Sequence, residues 1–180
     1  MPDPSSSLAP FPWADLAIII GLVCINGVFG MSELAIVSAR KARLKTLIAT
    51  GRKGARSALT LSEQPGRFLS TVQIGITLVG ILAGAYSGAS LGGPVGERLA
   101  LLGIPREWAL EAGFITVIVL TTYASLIIGE LVPKQFALRA PEPIACFVAR
   151  PMMMLARITA PLVWLLDRSS ALIFRLLGLN

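Results

Sequence analysis

Three long apolar runs dominate the pattern of hydrophobic and polar positions along the chain. They cover, with approximate bounds, residues 16–39, 68–90 and 113–132. Each run is long enough to cross a hydrocarbon layer of roughly 30 Å as a helix. The basic segment between the first two, residues 40–67, has apolar positions typical of a hairpin of two short amphipathic helices broken near Gly51. The pattern predicts an all-α membrane protein with three transmembrane helices and further helices beside the membrane.

The two ends of the chain are less regular. Residues 143–179 are apolar but interrupted by charges and prolines, at Arg150, Pro151, Arg157, Pro161 and Arg168. A fourth span is one interpretation, but the charge spacing favours interfacial helices whose arginines reach toward water. At the other end, Met1–Pro12 is predicted to be a flexible tail. It contains no basic residue, so we do not expect a cleaved signal peptide.

The distribution of charge predicts the orientation of the helices. Residues 40–67 carry eight Lys or Arg and one acid, whereas residues 91–112 carry two basic and three acidic residues. The positive-inside rule therefore places the first connection in the cytosol, the second outside, the N-terminus outside and the C-terminus inside. Gly92-Gly93-Pro94 predicts a turn in the outer connection. The net charge of +6 then reflects topology and a lipid bilayer with anionic headgroups, not a nucleic-acid partner.

Composition narrows the possible chemistry. The chain is 54% hydrophobic and 14% charged, well below the roughly 25% charged residues of soluble domains. It has no histidine, and its two cysteines, Cys24 and Cys146, lie far apart in apolar segments. These features argue against zinc, copper and iron sites and exclude His-dependent catalytic sets, so the chain is predicted not to be an enzyme. Hard cations bound by oxygen ligands fit this composition.

Glu130 is the most informative polar residue. A carboxylate inside a span costs about 2.5–3.5 kcal/mol on insertion scales, and such residues usually have a function. Gly129 leaves the adjacent backbone open, and Pro133 removes a backbone donor, which predicts a break at the helix end. We therefore predict that Glu130 is an oxygen ligand for a cation, with an ion pair to Lys134 at i+4 as the structural alternative.

Other polar side chains in the spans could complete a shell of oxygen ligands. Asn26 and Thr77 are the predicted partners of Glu130, and the secondary candidates are Gln73, Ser32, Glu33, Gly129 and Tyr123. One carboxylate, one amide and one hydroxyl, with backbone carbonyls and water, suit Mg²⁺, and Na⁺ could use the same oxygens.

Several of these residues also have structural interpretations. Glu33 could pair with Arg40 or Lys41, and the polar face that includes Gln73 and Thr77 could form hydrogen bonds between helices. Tyr123, seven residues before Glu130, is expected on the same helical face. Gly80, Gly84 and Gly88 are predicted to form a stripe for close helix packing.

Three motifs resemble those of a known family. They are Gly27–Ala35 (GVFGMSELA), Gln73–Gly80 (QIGITLVG) and Gly129–Lys134 (GELVPK). In order and spacing they resemble the transmembrane domain of the CorC/CNNM (cyclin M) magnesium-transporter family, formerly called hemolysin-like. The resemblance extends from about residue 16 to residue 179.

The resemblance implies a homodimer formed through the membrane helices and an inward-facing cation site between helices. It also implies cytosolic paired CBS domains, which would bind nucleotide, beyond residue 180. The family's ligand positions fall on Asn26, Thr77 and Glu130. Asn26 stands where the family has serine, and residues 76–80 (ITLVG) replace an Asn-Asn-Leu-Val-Asn run.

Three functions compete at this point. The first is a magnesium exporter of the bacterial plasma (inner) membrane, with inward sodium movement as a candidate driving force. The second is an exporter of polyamines or other organic cations, because a carboxylate near Tyr123 suits an alkylammonium group. The third is a membrane anchor for a cytosolic sensor that transports nothing.

Overall fold

The computed structural model describes residues 9–178 of the chain. Within this range it contains no β-strand and has eight α-helices and one π-helical turn: α1 (Trp13–Ser38), α2 (Lys41–Ala49), α3 (Ala55–Glu63), α4 (Pro65–Leu101), α5 (Arg106–Leu126), the π turn (Ile127–Leu131), α6 (Val132–Arg139), α7 (Pro141–Ile158) and α8 (Ala160–Leu176). The all-α prediction is confirmed. The predicted tail at residues 1–8 and the end of the predicted interfacial segment at residue 179 lie outside the described residues.

Three helical segments are long and apolar enough to cross a membrane by length and composition. They are α1, α4 and the continuous segment Arg106–Arg139, which comprises α5, the π turn and α6. The three predicted spans are therefore confirmed, with longer helices than the sequence predicted. The pair α7 and α8 is bent by 64°, so a fourth span formed by both would be a broken one. The interfacial placement of these helices stays a prediction.

The predicted turn at Gly92-Gly93-Pro94 is wrong, because α4 continues through it to Leu101 with Pro94 inside the helix. Close packing against α5 explains the difference. A Cβ on Gly92 would lie 3.3 Å from the Cα of Phe114, and one on Gly96 would lie 2.8 Å from the carbonyl oxygen of Ala109. The glycines thus serve helix–helix contact instead of chain reversal.

The predicted glycine stripe is also shifted. A Cβ on Gly88 would meet the ring of Phe114, but Gly80 and Gly84 have no such neighbour within 4 Å in the described part of the chain. On α5, Gly113 faces the backbone of Gly92 and Gly96. Glycines at four-residue spacing therefore pack α4 against α5, over residues 88–96 instead of 80–88.

The predicted helix break at Pro133 is replaced by the π turn. The N–H of Val132 donates to the carbonyl of Ile127, five residues back, and α6 then continues to Arg139. A helix whose hydrogen bonds widen in this way can accommodate a proline without ending.

The chain forms two compact units. Among the described residues, the first comprises residues 9–28 and 76–133, and the second comprises residues 29–75 and 134–178. In the first unit, Ile19 of α1, Leu91 of α4 and Val117 of α5 form a buried apolar cluster. This cluster holds the segments that carry Asn26 and Glu130.

The second unit contains the basic hairpin. The helices α2 and α3 confirm the two predicted short helices, with Gly51 and Gly54 at φ angles of 75° and 85° in the connection. The helix α3 packs against both α2 and α7. Their contacts bury small side chains, including Ala55, Ala58, Ala145 and Ala149.

Candidate cation site

A side chain of α1 forms a hydrogen bond to the π turn within the first unit. The side-chain amide of Asn26 donates a hydrogen bond to the carbonyl oxygen of Gly129, with a nitrogen–oxygen distance of 3.2 Å. In an uninterrupted α-helix, the residue four positions later would donate to this carbonyl, but that residue is Pro133, which has no N–H. Asn26 therefore supplies a donor that the proline lacks.

Two glycines allow this close approach. A Cβ on Gly27 would lie 2.9 Å from Cγ of Pro133 and 3.0 Å from the carbonyl oxygen of Ile128. A Cβ on Gly129 would lie 3.2 Å from the carbonyl oxygen of Val23. Backbone thus faces backbone here, and the carbonyl groups of the π turn lie close to α1.

The other polar atom of Asn26 is unsatisfied. Its Oδ1 is buried and has no hydrogen-bond partner among residues 9–178. Burial of an acceptor without a partner costs about 1–3 kcal/mol, and such atoms in native proteins call for an explanation. A donor or a cation from outside the described residues would satisfy it.

Glu130 follows Gly129 directly in the π turn and is half-buried. Turns of this type inside α-helices often occur at functional sites. The fold therefore places the carboxylate-bearing residue next to the residue that Asn26 binds. The prediction that Asn26 and Glu130 form one site has this geometric support and stays a prediction.

For the two other side chains predicted in the first unit, Thr77 and Tyr123, no hydrogen bond links them to this arrangement, and their membership in the site stays a prediction. Thr77 and Tyr123 are both exposed, and within the described range neither side chain makes a hydrogen bond. The expectation that Tyr123 shares a face with Glu130 assumed continuous α-helical spacing. The π turn lies between them and changes that spacing, so the expectation no longer follows.

Ser32, Glu33 and Gln73 belong to the second unit. Ser32 is buried, Glu33 is half-buried and Gln73 is exposed. The predicted pairing of Glu33 with Arg40 or Lys41 is wrong for the described part of the chain, where Glu33 makes no ion pair.

The acid that approaches this basic segment is instead Glu142, at the start of α7. It accepts a hydrogen bond from the N–H of Arg40 at 3.4 Å and pairs with Arg43 at 3.5 Å. Glu142 is 5% exposed. Its carboxylate satisfies the N–H of Arg40, one of the backbone donors that the start of α2 leaves without a partner inside the helix. The hundred-residue separation leaves no local sequence signal for this contact.

Sequence reasoning also missed a polar pair in the first unit. The hydroxyl of Tyr86 in α4 donates to Oδ1 of Asp15 in α1 at 2.6 Å. Asp15 lies just before the predicted first span, which began at about residue 16, whereas α1 begins at Trp13 and includes it. This hydrogen bond ties α1 to α4.

Among the described residues, no group of three or more His, Cys, Asp or Glu side chains could hold a metal ion.

Known proteins resemble this chain over most of its length. The model of the Cyclin M transmembrane N-terminal domain (CNNM) matches residues 17–180. The UPF0053 protein sll0260 of Synechocystis is 47% identical over 166 residues, which is 92% of this chain and 37% of that protein. The UPF0053 protein YhdT of Bacillus subtilis is 33% identical over 172 residues, covering 92% of this chain and 36% of the relative. The Polyamine export protein of Escherichia coli K12 is 31% identical over 164 residues, covering 91% and 36%.

The apolar helices and these matches define a multi-pass membrane protein. The chain belongs to the CNNM family, as the Cyclin M transmembrane N-terminal domain. It spans little more than a third of the length of these curated relatives. The family resemblance drawn from the three motifs is confirmed.

Proposed function

We propose that this chain is the membrane domain of a cation exporter, with Mg²⁺ as its cargo bound beside Glu130 and Asn26. The observation that carries the proposal is the buried Oδ1 of Asn26, which has no hydrogen-bond partner among the described residues. This oxygen belongs to the side chain that holds Gly129, the neighbour of Glu130. A cation at this position would satisfy the amide oxygen and bring it together with the carboxylate.

The ligand set fits a cargo ion better than a permanently bound metal. Mg²⁺ in proteins keeps several waters and uses one or two carboxylates. Glu130, the amide of Asn26 and carbonyl groups of the π turn offer a small number of oxygen ligands, and Thr77 stays a candidate for a further one. Weak, partly hydrated binding allows the ion to leave, which a transporter requires.

The cellular setting is part of the proposal. The eight basic residues of positions 40–67 support a cytosolic side for α2 and α3, with the N-terminus outside and the C-terminus inside. The bacterial relatives support a bacterial inner membrane. Sodium entry as the driving force, a homodimer and nucleotide-binding CBS domains after residue 180 are carried over from the family resemblance.

Magnesium efflux from loaded proteoliposomes tests the proposal. We expect Glu130→Gln and Asn26→Leu to reduce efflux strongly, while Glu97→Gln, a matched change at an exposed acid of α4, leaves it unchanged. Wild-type efflux in both site variants would refute the assigned site. No efflux above empty vesicles from folded wild-type protein would favour the membrane-anchor function instead.

A polyamine is the second candidate cargo, and two observations favour it. Relatives at 31% identity are named Polyamine export protein. The first unit also contains an apolar cavity of about 300 Å³, whose lining includes Val23 and Ile128, near Asn26 and Glu130 in sequence. A carboxylate could hold the ammonium group while the methylene chain occupies the cavity. Spermidine that inhibits magnesium efflux, and is itself exported, would select this cargo.

A further inference from the structure

The second unit contains a basic cavity that the proposed cation site does not use. Its volume is about 740 Å³. The turn between α2 and α3, residues 50–54, forms one side, and Cys146, Phe147 and Arg150 of α7 form the other.

Two glycines shape this turn, and one of them, Gly54, packs against α7. Gly51 and Gly54 have φ angles of 75° and 85°, which favour glycine. A Cβ on Gly54 would overlap the carbonyl of Cys146. The N–H of Arg52 donates to the carbonyl of Leu47 at 2.8 Å. This geometry fixes the backbone of Arg52 and Lys53 at the edge of the cavity, opposite α7.

The lining of the cavity is rich in positive charge. Arg52, Lys53 and Arg150 line it, and no Asp or Glu does. None of the three makes an ion pair within the described range of the chain. Burial raises the pKa of the Cys146 thiol, so the thiol itself adds no negative charge at neutral pH. Three like charges around one cavity favour an anionic ligand.

An apolar group lies beside these cations. The side chain of Phe147 is 82% exposed and stands three residues before Arg150, on the same face of α7. An exposed aromatic ring next to a basic cavity in a membrane protein suits a ligand with an acyl chain attached to an anionic headgroup. Free phosphate would make no use of this ring.

We propose that this cavity binds the phosphate group of an anionic membrane lipid, with Arg52, Lys53 and Arg150 contacting the phosphate. Phe147 contacts the acyl region of the same lipid. The site thereby attaches the α2–α3 turn and α7 to the membrane surface.

Lipid titration of the purified chain in neutral detergent, followed by native mass spectrometry, tests the site. The probes are phosphatidylglycerol, phosphatidylcholine and inorganic phosphate. Near an anionic surface, each basic residue contributes enough to change affinity about fivefold. We expect about that loss of phosphatidylglycerol affinity for Arg150→Gln, and a loss on the order of a hundredfold when Arg52, Lys53 and Arg150 are all replaced by Gln.

Controls separate this site from general charge and from other ligands. Lys45→Gln removes an exposed cation of α2 that does not line the cavity, and it should retain wild-type affinity. Phe147→Ser should weaken binding of phosphatidylglycerol but not of inorganic phosphate. Unchanged binding in the triple variant would overturn the proposal, as would equal affinity for phosphatidylcholine. Inorganic phosphate that binds as tightly as the lipid would overturn the lipid assignment.

Discussion

Asn26 donates its side-chain amide to the carbonyl oxygen of Gly129 at 3.2 Å. The same side chain keeps a buried oxygen without a partner in the described part of the chain. The two ends of one amide therefore differ, because its nitrogen contacts the π turn and its buried oxygen makes no hydrogen bond within residues 9–178. This division makes the two halves of the amide separable by mutation.

Asn26→Asp is predicted to destabilise the protein more than Asn26→Leu when no divalent cation is present. Aspartate is nearly the same size as asparagine, but it places an oxygen where the donor to Gly129 was. Leucine also loses the donor, but it removes the unsatisfied Oδ1, so the two effects partly cancel. We expect the aspartate variant to be about 1–3 kcal/mol less stable than the leucine variant at neutral pH. Thermal denaturation in detergent with a chelator measures this difference, and equal stability would contradict the assignment of the amide.

Magnesium is predicted to stabilise the wild-type domain against thermal unfolding. A ligand present at a hundredfold excess over its Kd contributes about 2.7 kcal/mol. Glu130→Gln should abolish most of this effect, because it removes the charged ligand, while Glu97→Gln should preserve it. Stabilisation that survives Glu130→Gln would show that the ion binds elsewhere.

Gly27 is predicted to tolerate a side chain far less well than Gly21, which lies on the same helix. A Cβ on Gly27 would lie 2.9 Å from Pro133, whereas Gly21 has nothing within 4 Å. Alanine at position 21 should be neutral or stabilising by up to about 1 kcal/mol, since glycine weakens helices. Alanine at position 27 should cost about 1–3 kcal/mol through displacement of the π turn. Similar melting temperatures for the two variants would argue against close packing of α1 on this turn.

The sequence predicted the helices well where hydrophobic runs are long, as for α1, α4 and α5. It failed where a local signal competed with a distant contact. Gly92-Gly93-Pro94 has the composition of a turn, but Phe114 of α5 packs against Gly92, and that contact cannot be read locally. A predicted helix boundary is least reliable at such a place.

The candidate site was likewise predictable where the signal is local and not where it depends on a distant contact. The positions of Asn26 and Glu130 could be chosen from the sequence because polar groups are costly in a span. The contact of Asn26 with Gly129 joins residues 103 positions apart, so the donor role of the amide was not predictable. Pro133 signalled a disturbed helix correctly, but only the geometry shows a π turn instead of an end.

Gly54→Ala is predicted to be more damaging than Gly51→Ala, although both residues have positive φ angles, of 85° and 75°. Alanine in this left-handed conformation costs about 1–2 kcal/mol at either position. At position 54 the new Cβ would also overlap the carbonyl of Cys146, whereas Gly51 has open space. We expect a further loss of about 1–3 kcal/mol in Gly54→Ala. Melting temperatures measured side by side test this, and equal losses would contradict the packing of the turn on α7.

Asn26 and Pro133 are predicted to be energetically coupled. Pro133→Ala restores the N–H that an α-helix would place on the Gly129 carbonyl. Once the helix supplies its own donor, the donor from Asn26 matters less, so Asn26→Asp should cost less in the Pro133→Ala background than in the wild type.

A double-mutant cycle on unfolding free energies measures this coupling, which should be about 0.5–3 kcal/mol, the range found for groups in one hydrogen-bond network. Ile25→Ala, at an exposed neighbour in α1, provides the matched cycle, and it should be additive with Pro133→Ala within about 0.5 kcal/mol. Additivity in both cycles would mean that Asn26 does not replace the missing donor. Coupling in the first cycle alone would establish that the asparagine compensates for the proline.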